Sequence, residues 1–256
     1  MRLSRRSSLK SIAAMAIAQN EAPAEVPSAI RLIVLDVGGT IIQDRGDVPA
    51  ALRTAFEKHG LTVDSAEIGA WRGASKREMV RHFVDLRTSG QNADRDKLSA
   101  AIYGDFSARL NEAYSTALPI AGAEKAFEAM RTAGLLLATT SGFDRDLTAS
   151  VFHRLGWQKY FVASISAEDV TLGRPAPFMI FHAMEAARVT SVAETVAVGD
   201  TPLDLQAGNN AALRGVIGVL TGAATSARLK QEPHTHILES VADLPGLLKA
   251  GLPAPH

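Results

Sequence analysis

The chain has 256 residues, in which 27 lysines and arginines balance 27 aspartates and glutamates, and it has no cysteine. That length buries a sizeable core as one α/β domain with an insertion, and a zero formal net charge gives no global electrostatic case for nucleic acid. Without cysteine there are no disulfides, thiolate nucleophiles or cysteine metal ligands, and no apolar run reaches the roughly 18 residues that cross a bilayer.

Residues 1–29 differ from the rest. Arg2, Arg5, Arg6 and Lys10 all precede the first acid, Glu21. Ser4-Arg5-Arg6-Ser7-Ser8-Leu9-Lys10 resembles a twin-arginine export signal, with Ala22-Pro23-Ala24 as a processing point. The same serine and arginine content also fits an organellar transit peptide. A third reading is an extension that leaves the protein in the cytoplasm, the location expected for the folded part. In none of these readings does the segment join the core.

The apolar run 32–35 reads as a strand buried on both faces. Asp36 follows at once, and Gly38 and Gly39 permit a tight turn and close backbone approach to a ligand. An acid at the carboxyl end of a buried parallel strand lies where open α/β sheets bind ligands. From 48 to 59 the spacing is helical, with Ala51, Leu52, Ala55 and Phe56 on one face. Residues 65–116 read as further helices carrying two apolar stripes, Met79-Val80-Phe83-Leu86 and Leu98-Ile102-Phe106-Leu110. No strand interrupts them. The expectation is therefore an all-helical cap, 47–117, inserted into a core formed by 30–46 and 118–250.

Beyond 118, strand and helix alternate. Helices are predicted over 123–133 and 145–155, closed by Gly134 and Gly156. Others follow over 177–187, 202–212 and 241–248. Strands are predicted over 135–140, 161–165, 195–200, 216–220 and 235–238. This alternation specifies a doubly wound parallel sheet.

Strand ends of such a sheet converge at one edge, so Asp36, Ser141, Arg174 and the pair Asp200 and Asp204 can form one site. Their chemistry points to phosphoryl transfer or C–P cleavage. Asp36 is a candidate carboxylate nucleophile. Asp36 with Asp200 suits Mg²⁺, which takes few carboxylates. Ser141 and backbone N–H groups can bond a phosphoryl oxygen, and Arg174 can offset developing charge. Asp204, one helical turn past Asp200, reads as an orienter rather than a direct ligand.

Asp36-Val37-Gly38-Gly39-Thr40, Ser141, Arg174 and Gly199-Asp200-Thr201-Pro202-Leu203-Asp204 resemble the four motifs of the haloacid dehalogenase superfamily over about residues 30–250. The resemblance implies a Rossmann-like core with a cap, Mg²⁺ held by Asp36, Asp200 and the Gly38 carbonyl, and a phosphoryl site around Gly38, Gly39, Thr40 and Gly142. Two departures from the common pattern are informative. Most phosphatases of the superfamily carry a general acid where Gly38 stands, and usually lysine where Arg174 stands. Both departures, with Gly73-Ala74-Ser75-Lys76 in the insertion and Thr140-Ser141-Gly142-Phe143-Asp144-Arg145, resemble the phosphonatase-like (phosphonoacetaldehyde hydrolase) family.

That resemblance implies that Lys76 forms an imine with a 2-oxoalkylphosphonate and that Asp36 takes the phosphoryl group. It also implies a small-molecule phosphonate or phosphate as partner, and cap contacts compatible with a homodimer. The family has methionine where Arg72 stands and histidine where Met79 stands. Arg72 is therefore a candidate for binding an extra polar or anionic substituent. An ester phosphatase of the phosphoglycolate type and a catalytically weak binding protein are the alternative functions. Trp71 and Met79 are candidates for pocket or core. His234 and His236 lack a third metal ligand, Asp169 reads as a turn residue, and Gly208-Asn209-Asn210-Ala211 reads as a helix cap.

Overall fold

The computed structural model describes residues 30–89 and 92–252, so the predicted export or transit segment lies outside the described residues. Six parallel strands form one sheet in the order β3-β2-β1-β4-β5-β6. They are β1 (Leu32–Asp36), β2 (Leu136–Ser141), β3 (Ala163–Ser166), β4 (Thr195–Gly199), β5 (Gly215–Val219) and β6 (His236–Leu238). Strand order reverses direction between β1 and β4, and a crevice at that switch point is where such sheets bind ligands.

Four helices follow β1: α1 (Asp47–Lys58), α2 (Ser65–Ala70), α3 (Lys76–Arg87) and α4 (Asn92–Tyr114). The core continues with α5 (Ala123–Thr132), α6 (Arg145–Leu155), α7 (Phe178–Ala186), α8 (Pro202–Asn210), α9 (Ser226–Leu229) and α10 (Leu244–Ala250). The fold is thus a Rossmann-like core carrying a helical cap, as the alternation predicts. Among the described residues, no helix is long and apolar enough to cross a membrane.

Alternation along β1 divides the core. Leu32 and Val34 face Ala138, Ala197 and the apolar side of α7, whereas Ile33 and Leu35 join Leu137, Val196, Val198 and Phe127. The second cluster runs on into the cap, where Phe56, Phe83 and Phe106 are buried, so cap and core share one apolar interior. Each such ring or branched chain contributes roughly 1.5–3 kcal/mol.

One detail differs from expectation. Leu86 is 62% exposed and Val84 is buried in its place. At about 100° per residue, Met79, Val80, Phe83 and Val84 centre the buried arc of α3 so that Leu86 falls about 90° to one side. Gly208-Asn209-Asn210-Ala211 ends α8 with Ala211 as the C-cap, as expected, but Gly208 also makes a close contact: a Cβ there would stand 2.9 Å from a methyl of Val216. It lets the helix sit close on β5.

Val84→Ala should lower stability by about 1–3 kcal/mol and Leu86→Ala by less than about 0.5 kcal/mol, read from urea denaturation midpoints. Equal losses would contradict the assigned face.

Candidate active site

The register brings Asp36 beside Thr140, and β4 ends alongside at Gly199, so Asp200 emerges next to Asp36. Asp204 lies in the first turn of α8, whose N-cap Thr201 and Asp204 form a reciprocal capping box. One oxygen from each of Asp36, Asp200 and Asp204 lies within 4.8 Å of the others, and all three residues are buried. Among the described residues this is the one carboxylate or imidazole group spaced to share an ion, and it does not include His234 or His236.

Arg174 organises these acids. Nη1 meets Asp36 Oδ1 at 2.8 Å and Nε meets Asp204 Oδ1 at 2.9 Å. Nη1 also donates to the Gly73 carbonyl at 3.2 Å, and Nη2 donates to the carbonyl and hydroxyl oxygens of Thr140 at 2.9 and 2.7 Å. These five acceptors match the five N–H groups of a guanidinium. Arg174 is therefore fully committed to holding Asp36 and cannot bond a substrate oxygen without releasing a partner.

The two other acids have different duties. Asp204 Oδ2 accepts from the Thr201 N–H at 3.0 Å and from the Thr201 hydroxyl at 2.5 Å, which with Arg174 engages both oxygens. Burial pushes its pKa up to about 6 against the opposing pull of Arg174. Both Asp204 oxygens are thus engaged by the chain's own groups. Asp200 accepts from Thr40 Oγ1 at 3.3 Å and from the Ala223 N–H at 2.7 Å. Burial first, then the charges of Asp36 and Asp204, hold its carboxyl well above the ordinary range. Three buried carboxylates stand against two cations, Arg174 and Lys76. An uncompensated buried charge is costly, and a hard dication with oxygen ligands fits this donor set.

Gly39 and Thr40 do not line the cavity, contrary to their expected phosphoryl-binding role. Thr40 is fully buried and its hydroxyl is spent on Asp200. Gly39 has φ +90°, and a Cβ there would stand 2.5 Å from the Asp200 carboxylate. Both shape the seat of Asp200. Gly38, Ser141, Gly142 and Arg72 do line the cavity, together with Asp36, Lys76, Arg174 and Asp200. Ser141 Oγ accepts the Phe143 N–H at 3.0 Å, which orients it at the end of β2.

Lys76 is the first residue of α3 and is buried. Nζ donates to the Ala74 carbonyl at 2.9 Å and lies 5.6 Å from the centre of the Phe143 ring. Burial lowers its pKa to about 8, helped by Arg174 and opposed by the three acids. The positive end of a helix N-terminus acts in the same sense. Gly142 makes this arrangement possible: its carbonyl accepts the Lys76 N–H at 3.3 Å, and a Cβ on it would overlap the Ala74 carbonyl oxygen. Gly173 N–H donates to Glu78 Oε1 at 3.1 Å, a further hydrogen bond between cap and core beside Lys76–Gly142 and Arg174–Gly73.

Of three further residues that line the cavity, Phe143 lies in the second motif, whereas Tyr114 and Asp44 carry no motif signal. A Cβ on Gly38 would meet Phe143 Cζ at 3.0 Å and the Tyr114 hydroxyl at 3.5 Å, so two rings occupy the space beside the small residue. Their centroids are 4.9 Å apart, edge to face. Asp44 accepts from Arg72 Nη1 at 2.9 Å, so the candidate substituent-binding arginine already has one carboxylate partner. Met79 both lines the cavity and belongs to the core, whereas Trp71 stacks on His82 away from the cavity lining. Asp169 caps a short turn through the Ser166 N–H and pairs with Arg145.

Arg174→Gln strands Asp36 and Asp204 in the interior. Stability should fall by roughly 3–5 kcal/mol, measured by urea denaturation at neutral pH. A loss within about 0.5 kcal/mol would show that the network does not hold the site together.

Comparisons with known proteins agree with this geometry. A family model described as haloacid dehalogenase-like hydrolase matches residues 30–212. A phosphonoacetaldehyde hydrolase of Latilactobacillus sakei is 28% identical over 86% of this chain and 88% of its own length. A phosphonoacetaldehyde hydrolase-like protein from Oleispira antarctica superposes with a TM-score of 0.75 at 20% identity, covering 91% of this chain and 99% of its own. A protein named as a predicted phosphoglycolate phosphatase from Haemophilus somnus gives 0.71 at 16% identity, covering 85% and 97%. The two structures share the fold. With a family model spanning most of the chain and four motifs meeting at one sheet edge, the chain belongs to the haloacid dehalogenase-like hydrolases.

Proposed function

We propose that this hydrolase is Mg²⁺-dependent and cleaves the C–P bond of a 2-oxoalkylphosphonate, phosphonoacetaldehyde or a substituted analogue. One observation carries the reading. The position that holds a general acid in ester phosphatases of the superfamily is Gly38, while a buried amine, Lys76, lines the same cavity as Asp36. The relative named phosphonoacetaldehyde hydrolase supports it.

Asp36, Asp200 and the Gly38 carbonyl would hold Mg²⁺, which when bound neutralises phosphonate oxygens. The remaining steps belong to the chain's own residues. The Lys76 amine adds to the substrate carbonyl and water leaves, giving a protonated imine. Asp36 attacks phosphorus. The C–P electron pair moves onto carbon and through to the imine nitrogen, giving a neutral enamine and an aspartyl-phosphate. The enamine is protonated on carbon, and water hydrolyses the resulting imine to the carbonyl product and free Lys76. A second water attacks the aspartyl-phosphate, releasing inorganic phosphate. Net consumption is one water.

An enamine leaves without a proton donor. An alkoxide does not leave readily without one, so Gly38 weighs against phosphate esters. The amine must be neutral to attack. With a pKa of about 8, about a tenth of it is neutral at pH 7, against well under a thousandth for an ordinary lysine. Ser141 and the Gly142 backbone are the groups that would bond phosphoryl oxygens, and Arg174, 2.8 Å from Asp36 Oδ1, aims that carboxylate.

Phosphate release from phosphonoacetaldehyde with Mg²⁺ tests the reading. Lys76→Arg keeps the charge and removes the imine, so kcat/KM should fall on the order of a thousandfold or more. A variant that retains activity would contradict it. For the wild type, kcat/KM should rise about tenfold per pH unit below about 8 and level above. A flat profile through that range would contradict a titrating amine.

Gly38→Asp alone should gain no hydrolysis of an alkyl phosphate such as glycerol phosphate, because Phe143 fills the space an acid needs. Combined with Phe143→Ala it should gain measurable hydrolysis. A gain from the single variant would overturn this account of position 38.

A further inference from the structure

The buried cavity is small. Its volume is about 50 Å³, room for a few waters or the head of a small substrate. A second cleft of about 550 Å³ on the same measure lies along the seam between the cap and α8–α9. Ile68, Arg72, Thr201 and Ala223 line both, so the two spaces are neighbours and Arg72 borders each.

The outer cleft has a one-sided charge. Arg53, Arg72 and Arg228 line it, and no aspartate or glutamate does. In a chain with no net charge, this is a local excess. Arg228 pairs with Glu232 at 2.9 Å, from outside the lining. Arg72 spends only Nη1, on Asp44. Arg53 donates to the Ser65 hydroxyl at 2.9 Å and pairs with no acid among the described residues. Thr201 and Gln206 add polar groups. A guanidinium fork matches the two oxygens of a carboxylate.

We propose that the outer cleft binds a second anion: a carboxylate carried on the substituent beyond the substrate's carbonyl, received by Arg72 and beyond it by Arg53 and Arg228. The inference rests on the reading of the inner cavity as the phosphonate site. It makes the substrate class a 2-oxoalkylphosphonate with an acidic tail, and it gives Arg72 a task that a bare phosphonoacetaldehyde would leave unused.

Binding of two unreactive ligands of equal chain length separates this from the chemistry. Phosphonovalerate carries a terminal carboxylate and pentylphosphonate a terminal methyl; neither has a carbonyl to cleave. Titration calorimetry of the wild-type protein with Mg²⁺ should give at least about tenfold tighter binding of phosphonovalerate. Arg53→Gln and Arg228→Gln should each cut that preference about threefold or more, and the triple variant that adds Arg72→Gln should bring the two ligands close to parity, each variant's own pentylphosphonate constant being its reference. Equal affinities in the wild type, no binding of phosphonovalerate, or a preference that survives the triple variant would overturn the assignment. A wild type that shows the preference yet releases no phosphate from phosphonoacetaldehyde or its acidic analogues would sink C–P cleavage and leave the anion site standing.

Discussion

The buried guanidinium of Arg174 is the interaction on which the rest depends. Its five N–H groups reach β1 through Asp36, β2 through Thr140, α8 through Asp204 and the cap through the Gly73 carbonyl. None of these partners is local to it in sequence. A buried charge survives only when paired and hydrogen-bonded on all sides, so the cap, Asp36 and the N-terminus of α8 must assemble together. The Gly73 carbonyl that completes Arg174 belongs to the same short turn that delivers Lys76.

The acids and the amine sit against backbone instead of side chains. Gly39 and Gly222 both crowd the Asp200 carboxylate, Gly199 crowds Asp204, and Gly142 lies against Ala74 and Lys76. Any side chain at these positions would displace a charged group. This close wall excludes bulk water and strengthens each charge interaction inside. It also explains the direction of the shifts: burial raises the carboxylates Asp200 and Asp204 and lowers the amine Lys76. The site combines three buried carboxylates, a donor set that could hold a metal, with an amine whose pKa burial brings down to about 8.

Much of this is legible in the sequence, for physical reasons that are local. A run of branched apolar residues ending in an acid, repeated with intervening helical spacing, specifies parallel strands whose ends converge, and Asp36, Ser141 and Asp200 follow from that alone. The roles of Asp204 and Gly156 follow from helix-end chemistry. What is not legible depends on partners far away in the chain. The exposure of Leu86 depends on which arc of α3 meets α4. Thr40 and Gly39 lie in the motif but serve Asp200, because the side of the turn they face is set by β4 and its following loop. Arg174 carries the expected charge, yet its saturation by five acceptors needs Thr140 and Gly73, and nothing in its own motif signals them. Phe143 and Tyr114 fill the space beside Gly38 from two elements, and only the fold brings them together.

The most direct test of the central claim is borohydride trapping. Incubation of the wild-type protein with phosphonoacetaldehyde, Mg²⁺ and borohydride, followed by peptide mass analysis, reads the imine itself. The account predicts loss of phosphate release with a reduced two-carbon adduct on the peptide that contains Lys76. Turnover that proceeds undiminished under borohydride, with Lys76 unmodified, would contradict it.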